Sequence, residues 1–184
     1  MERGGRASGP GIGMGMGNGV TVLLLLGLVS AAMLGAALVS QYAFGLAPCT
    51  MCHWQRWAHI AVIALVAIGL IACRATAADP ARRARVAGYA LGAVALAFLA
   101  GAAIAGFHAG VELRWWEGIT TCASGTPQSL DDLKAQLMAA PLVRCDEVAF
   151  AFAGISMAGW NGILSLLLAI FAAIAARQSL AAGR

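Results

Sequence analysis

Four apolar runs punctuate this chain of 184 residues, at about 20–39, 54–73, 86–107 and 155–176. A helix rises 1.5 Å per residue, so crossing ~30 Å of hydrocarbon takes about 20 apolar residues, and each run is long enough. In lipid no water satisfies backbone N–H and C=O groups, and a lone strand leaves them unpaired, so each run must be helical. The second run is the least uniform, because Gln55, Arg56 and His59 sit in its first turns. Composition agrees: 61% of residues are hydrophobic and 11% charged, against roughly a quarter charged in a water-soluble domain. The expectation is an all-α membrane protein, a four-transmembrane-helix bundle forming one domain over 20–176.

Residues 1–19 are Gly-rich and read as a disordered tail, and 177–184 as a second short tail. The first apolar run exceeds the roughly 7–15 residues of a signal peptide's apolar region and no cleavage site follows it, so it reads as a retained span. An even number of spans puts both tails on one side. That side holds Arg3, Arg6, Arg74, Arg82, Arg83, Arg85, Arg177 and Arg184, while the opposite loops hold Arg114, Lys134 and Arg144, with Arg56 at a helix edge. The positive-inside rule then places both termini in the cytoplasm. The outer loops are a short one, about 41–53, and a long one, about 108–154. Tyr42, Trp54, Trp57, Trp115 and Trp116 all fall near the outer interface, where amphipathic rings settle. The net charge of +4 gives no reason to expect nucleic acid, since the basic residues flank apolar runs and form no stripe interleaved with aromatics.

Within the long loop, Ser129 and Asp132 resemble a capping box, and Leu130, Leu133, Leu137 and Met138 follow at helical spacing. This is expected to be a short amphipathic helix on the membrane surface or over the bundle end, or simply loop packing.

Five cysteines are present, and four of them, Cys49, Cys52, Cys122 and Cys145, fall in the outer loops, where disulfides persist. Cys73, at the other end of the second span, reads as a small packing residue. Cys49-Thr50-Met51-Cys52 is a CxxC pair followed at once by a helix. So tight a bridge adds little as a staple, because stabilisation grows with the loop closed; its use is reversibility. Cys52 would lie at a helix N-terminus, where the dipole favours a thiolate, with Arg56 one turn on along the same face. Keeping an arginine one turn inside a membrane helix is costly and asks for a functional reason, although a snorkelling arginine beside a structural bridge is the plainer reading. Cys122 and Cys145 have 22 residues between them. Alone they look structural; two pairs on one face, one tight and one on a long loop, suggest a relay by thiol–disulfide exchange.

Other readings stand beside this one. Cys49-Thr50-Met51-Cys52-His53 matches the C-x-x-C-H signature of c-type haem attachment, with His53 as proximal ligand and Met157 or His108 as distal one. Against it, the first outer loop is too short to wrap a haem, and Cys122 and Cys145 go unused. A four-cysteine zinc site has only one pair at ligand-like spacing. A non-catalytic tetraspan scaffold with two structural disulfides is a further alternative. So is a conduit running electrons outward, which would be expected to bury cysteines within its helices.

Taken together, the residues resemble the bacterial disulfide bond formation protein B (DsbB) family. The resemblance rests on four spans, on Pro48, Cys49, Cys52, Gln55 and Arg56 as Pro-Cys-x-x-Cys-x-x-Gln-Arg, on a second cysteine pair in the long loop, and on Gly154-Ile155-Ser156-Met157-Ala158-Gly159-Trp160-Asn161 entering the fourth span. It implies a multi-pass protein of the bacterial inner membrane with its cysteine pairs in the periplasm. It further implies an oxidoreductase that reoxidises a periplasmic DsbA-like thioredoxin-fold oxidase and passes the electrons to a membrane quinone, ubiquinone or menaquinone. By family position the partner would form its mixed disulfide with Cys122. Electrons would pass from Cys122–Cys145 to Cys49–Cys52, and Cys52 would hand them to a quinone held near Arg56. His108 lies near a position where the family carries a histidine close to the quinone; it reads equally well as an interfacial residue capping the third span. Glu112, Trp115, Trp116 and Glu117 look like a subgroup variation that anchors the loop. Asn161 reads as an interhelical hydrogen bonder, and Met157 and Trp160 as packing. No metal is expected, and a chain of this size needs no second copy to work.

Overall fold

The structure is a computed structural model that describes residues 19–118, 129–131, 134 and 144–184. Among the described residues, four helices are long and apolar enough to cross a membrane: α1 (Gly19–Tyr42), α2 (Thr50–Ala75), α3 (Pro80–Glu112) and α4 (Met157–Ala182). The chain is an all-α four-span bundle. The helices outrun their apolar cores because caps decide where they end. Cys49 Sγ accepts the Cys52 amide at the start of α2, and Asp79 Oδ1 accepts the Arg82 amide before Pro80 in α3. At the far end α4 runs through residues read as tail, where Arg85 Nη1 donates to the Gly183 carbonyl at 2.7 Å.

Entry to α4 differs from the expected direct start at residue 155. A two-stranded antiparallel hairpin, β1 (Ala151–Phe152) and β2 (Ile155–Ser156), precedes it. Its tight turn uses positive φ at Ala153 (51°) and Gly154 (78°), the backbone that matches the twist of paired strands. The hairpin delivers Ser156 as N-cap, its Oγ accepting the Gly159 amide at 3.1 Å.

Helix α3 is the hub, packing mainly on α4 and α2, while α1 leans chiefly on α2. Each helix buries a narrow stripe and presents apolar side chains elsewhere. In α1, Val22, Leu23, Leu26 and Ser30 are buried, whereas Leu24, Leu25 and Leu28 are exposed to what would be lipid. In α2 the stripe is Met51, Gln55, His59, Val62, Val66, Gly69 and Cys73, at steps of three and four. The main core joins Leu23, Leu26, Val62, Val66, Leu91, Val94, Phe98 and the Ala169–Ala172–Ala176 face of α4. Small residues set the helix spacing: a Cβ on Gly88 would lie 2.6 Å from Leu180 Cγ and 3.1 Å from the Ala176 carbonyl.

Cys122 and most of the expected loop helix, including Leu133, Leu137 and Met138, lie outside the described residues. Within it, Leu130 is exposed.

Candidate functional site

At the end of the bundle where α2 begins, polar side chains from all four helices meet an apolar cavity of about 280 Å³. The first turn of α2 supplies the sulfurs. Cys49 Sγ lies 3.1 Å from Cys52 Sγ, close enough for a thiol hydrogen bond and for a disulfide after a small rotation. Cys49 is buried and Cys52 half-buried against the cavity. Donating its proton to Cys52, and burial after that, push the Cys49 thiol up to about 12 from an ordinary 9.0.

His108, in the last turn of α3, is buried at 3% exposure and reaches the pair directly: Nε2 lies 3.5 Å from Cys49 Sγ. Its Nδ1 is 2.8 Å from Gln55 Nε2, and Nε2 is 3.8 Å from a Glu112 carboxylate oxygen. Glu112 in turn accepts the hydroxyl of Ser156, which ties α3 to the cap of α4. The His108 ring therefore lies in the interior beside Cys49. Gln55 Oε1 accepts from Asn161 Nδ2 at 2.6 Å, and Asn161 Oδ1 lies 2.9 Å from His59 Nε2. Asn161 thus links α4 to α2, as an interhelical hydrogen bonder should.

Arg56 lines the same cavity as Cys52, but its guanidinium is held by α1, donating to Gln41 Oε1 at 2.6 Å and to the Ala37 carbonyl at 3.3 Å. The imidazole of His108, and not the guanidinium, is the basic group in hydrogen-bond contact with Cys49. Met157 and Trp160 also line the cavity, with Met33, Leu34, Leu46, Phe152 and Leu164. Trp160 Nε1 donates to the Phe152 carbonyl at 3.0 Å, which pins its ring against the hairpin.

From the long loop, Cys145 is fully buried and packs with Cys49, Met51 and Val111, and Cys52 and Phe107 pack against the same cluster. A backbone hydrogen bond joins Cys145 to His108. One member of the second pair is thereby brought to the first; its expected mate, Cys122, lies outside the described residues. Arg144 beside it grips Asp146 through two hydrogen bonds, at 2.9 and 2.6 Å, and holds that carboxyl below its usual range. Trp116 stacks on Phe107 at 5.6 Å and donates to its carbonyl, so the tryptophan cluster folds back onto α3.

Comparison with known proteins agrees with this arrangement. The family model of disulfide bond formation protein DsbB matches residues 20–175. The chain belongs to the DsbB family. No curated protein and no solved structure matches it. As a DsbB-family protein with four membrane-spanning helices, it is a membrane disulfide oxidoreductase that serves disulfide bond formation. Membership displaces the haem-subunit and scaffold readings, and the geometry gives haem no help: His53 is exposed, whereas both sulfurs turn inward toward His108.

In this DsbB-family site, Cys49, Cys52 and His108 offer ligand atoms within 4.8 Å of one another. The close sulfur–sulfur contact is the geometry a reversible disulfide needs. Sequence reasoning passed over Gln55, His59 and Glu112 as members of the polar cluster. The available signal was their polarity inside or beside apolar runs, since a polar side chain in lipid needs a partner.

Proposed function

We propose that the protein reoxidises a periplasmic DsbA-like thioredoxin-fold oxidase and passes the electrons through Cys122–Cys145 and then Cys49–Cys52 to a membrane quinone. The observation that carries this reading is the redox-type CxxC opening onto an apolar cavity inside a membrane bundle. A quinone fits what lines that cavity. Leu34, Met157, Trp160 and Leu164 offer an apolar bed for a ring and its tail, and Cys52 and Arg56 offer polar contacts for ring oxygens.

The balance is one partner dithiol plus one quinone giving one partner disulfide plus one quinol. A partner thiolate attacks the Cys122–Cys145 bridge, and Cys122 carries the mixed disulfide until the partner's second thiol displaces it. The reduced pair then reduces Cys49–Cys52, assisted by the burial of Cys145 beside Cys49. When bound, the quinone supplies a lipid-soluble two-electron acceptor. Cys52, which lines the cavity, would hand over the electrons while Cys49 closes the disulfide, and Arg56 would favour negative charge there. His108 would hold a proton beside Cys49, its Nε2 lying 3.5 Å from the sulfur. Both termini lie in the cytoplasm and both pairs in the periplasm, as the arginine bias directs.

The test uses purified protein and a reduced thioredoxin-fold partner, following quinone loss. Turnover is expected with the unaltered protein and none with Cys52→Ala. Turnover that survives Cys52→Ala would remove Cys52 from the quinone step.

A further inference from the structure

The hydrogen bonds behind the sulfurs form one connected series across all four helices, with side branches at Asn161, His108 and Ser30, and the polarity of its main line can be worked out. His108 Nε2 faces Cys49 Sγ at 3.5 Å and the Glu112 carboxylate at 3.8 Å. With the Cys49 thiol donating to Cys52 across their 3.1 Å contact, what Cys49 turns to His108 is a lone pair. An ionised carboxylate likewise only accepts. Nε2 must carry the hydrogen, and Nδ1 must accept. Gln55 therefore presents its NH2 to Nδ1, at 2.8 Å, and its oxygen to Asn161. Asn161 presents its NH2 to that oxygen at 2.6 Å, which leaves Oδ1 for His59 Nε2 at 2.9 Å and for the Ser165 hydroxyl at 3.4 Å. Nε2 of His59 then carries hydrogen, and Nδ1 faces Ser30 Oγ at 3.0 Å, whose hydroxyl also has the His59 carbonyl as an acceptor at 3.3 Å. From His59 to the sulfurs every donor along the main line points the same way, and Ser30 in α1 sits behind its far end.

We propose that Ser30, His59 and Asn161 are positioning residues for the redox pair: by fixing Gln55 they hold His108 in the single tautomer that aims an N–H at Cys49. The proposal rests on reading Cys49–Cys52 as the redox pair. Aligned hydrogen bonds in a low-dielectric interior polarise one another, so the far end matters to the near one. With the series intact, Cys49 receives the His108 proton and gives its own to Cys52, and Cys52 is the terminal acceptor. If Gln55 is released it can rotate by 180° and present its oxygen to Nδ1. That draws the hydrogen to Nδ1 and leaves Nε2 facing the sulfur and the carboxylate without a donor. Interhelical glue alone would not require one polarity, whereas this arrangement does.

The direct readout is the tautomer of His108 in full-length protein labelled with 15N-histidine in detergent. The chain holds three histidines, His53, His59 and His108, so a His108→Gln variant assigns the signal. The unaltered, reduced protein is expected to give a protonated-type shift at Nε2 and an unprotonated-type shift at Nδ1. Asn161→Leu is expected to mix the two tautomers and to slow quinone reduction about tenfold, the scale of one hydrogen bond. Ser30→Ala removes the hydroxyl facing His59 Nδ1 with almost no change of volume, and is expected to shift the same signal if Asn161→Leu does not fold. A wild-type His108 protonated at Nδ1, or one whose tautomer ignores both variants, would overturn the proposal. If the tautomer follows the variants while the unaltered protein reduces no quinone, the series stands and the quinone reading falls.

Discussion

At the arginine end of the bundle, where Arg74, Arg82, Arg83 and Arg85 cluster, helices approach through small residues: Gly69 against Ala90, and Gly88 against Leu180 and the Ala176 carbonyl. Toward the cysteine end small residues also meet, Gly101 against Ala58 and Gly162 against Ala105, but there a cavity of about 280 Å³ opens and hydrogen bonds between Gln55, His59, His108 and Asn161 join the helices. Two buried cysteines make the contrast sharp. Cys73 sits in the main apolar core with its Sγ 4.0 Å from the Arg83 carbonyl, whereas Cys49 touches a second sulfur and an imidazole. Burial alone makes cysteine an inert hydrophobe; burial among partners makes it chemistry. One end holds the bundle together by packing, and the other adds a cavity and a hydrogen-bonded site to it.

The largest effect should separate the two sulfurs of the CxxC. With Cys49 pushed up to about 12, the group stays a neutral thiol until pH approaches that value. At pH 8 a thiol of this kind is about one part in ten thousand thiolate, so alkylation of the reduced pair should fall on Cys52 and spare Cys49. Because the contact with Cys52 is the largest cause, Cys52→Ala should return Cys49 toward 9.0 and speed its labelling by orders of magnitude. Mass-spectrometric mapping after timed alkylation reads both; equal labelling in the unaltered protein would erase the distinction.

Gly88→Val probes the other end. Overpacking there should cost about 1–3 kcal/mol and lower the thermal midpoint in detergent. The quinone-reduction rate per folded molecule should stay unchanged, and a fall in that rate would show the two ends to be coupled. A smaller effect is expected at the cavity mouth: Arg56→Ala should raise the apparent KM for quinone about tenfold, the scale of one charge-assisted contact, with the partner's KM unmoved. Smallest is Asp146→Asn on the loop. Arg144 holds the Asp146 carboxyl low, so its stabilisation is present above the ordinary 3.8 and is lost as pH falls through the lowered value. The pair is exposed and screened, so the midpoint at neutral pH should shift by well under ~1 kcal/mol equivalent.

Much of the scaffold was legible in the sequence because lipid permits so few structures: apolar runs of sufficient length must be helices. The sulfurs were legible because CxxC is a local pattern. The polar series was not, since Gln55 finds His108 and Asn161 across 53 and 106 residues, and spacing along a chain carries no trace of such pairings. Arg56 illustrates the same limit. Helical periodicity puts it one turn from Cys52, but the length of its side chain lets Gln41 and Ala37 of α1 claim the guanidinium. The hairpin before α4 escaped notice because its turn depends on positive φ at Ala153, a residue with no turn signature of its own.

The central claim is that the pair beside the cavity delivers electrons to quinone by itself, the loop cysteines serving only to load it. The most direct measurement replaces Cys122 and Cys145 with Ser, reduces the protein anaerobically, removes reductant and adds quinone without any partner. The expected result is one quinol per protein and a Cys49–Cys52 disulfide, with the same yield when Cys73 is also replaced by Ala. No quinol, with Cys49 and Cys52 still reduced, would contradict it.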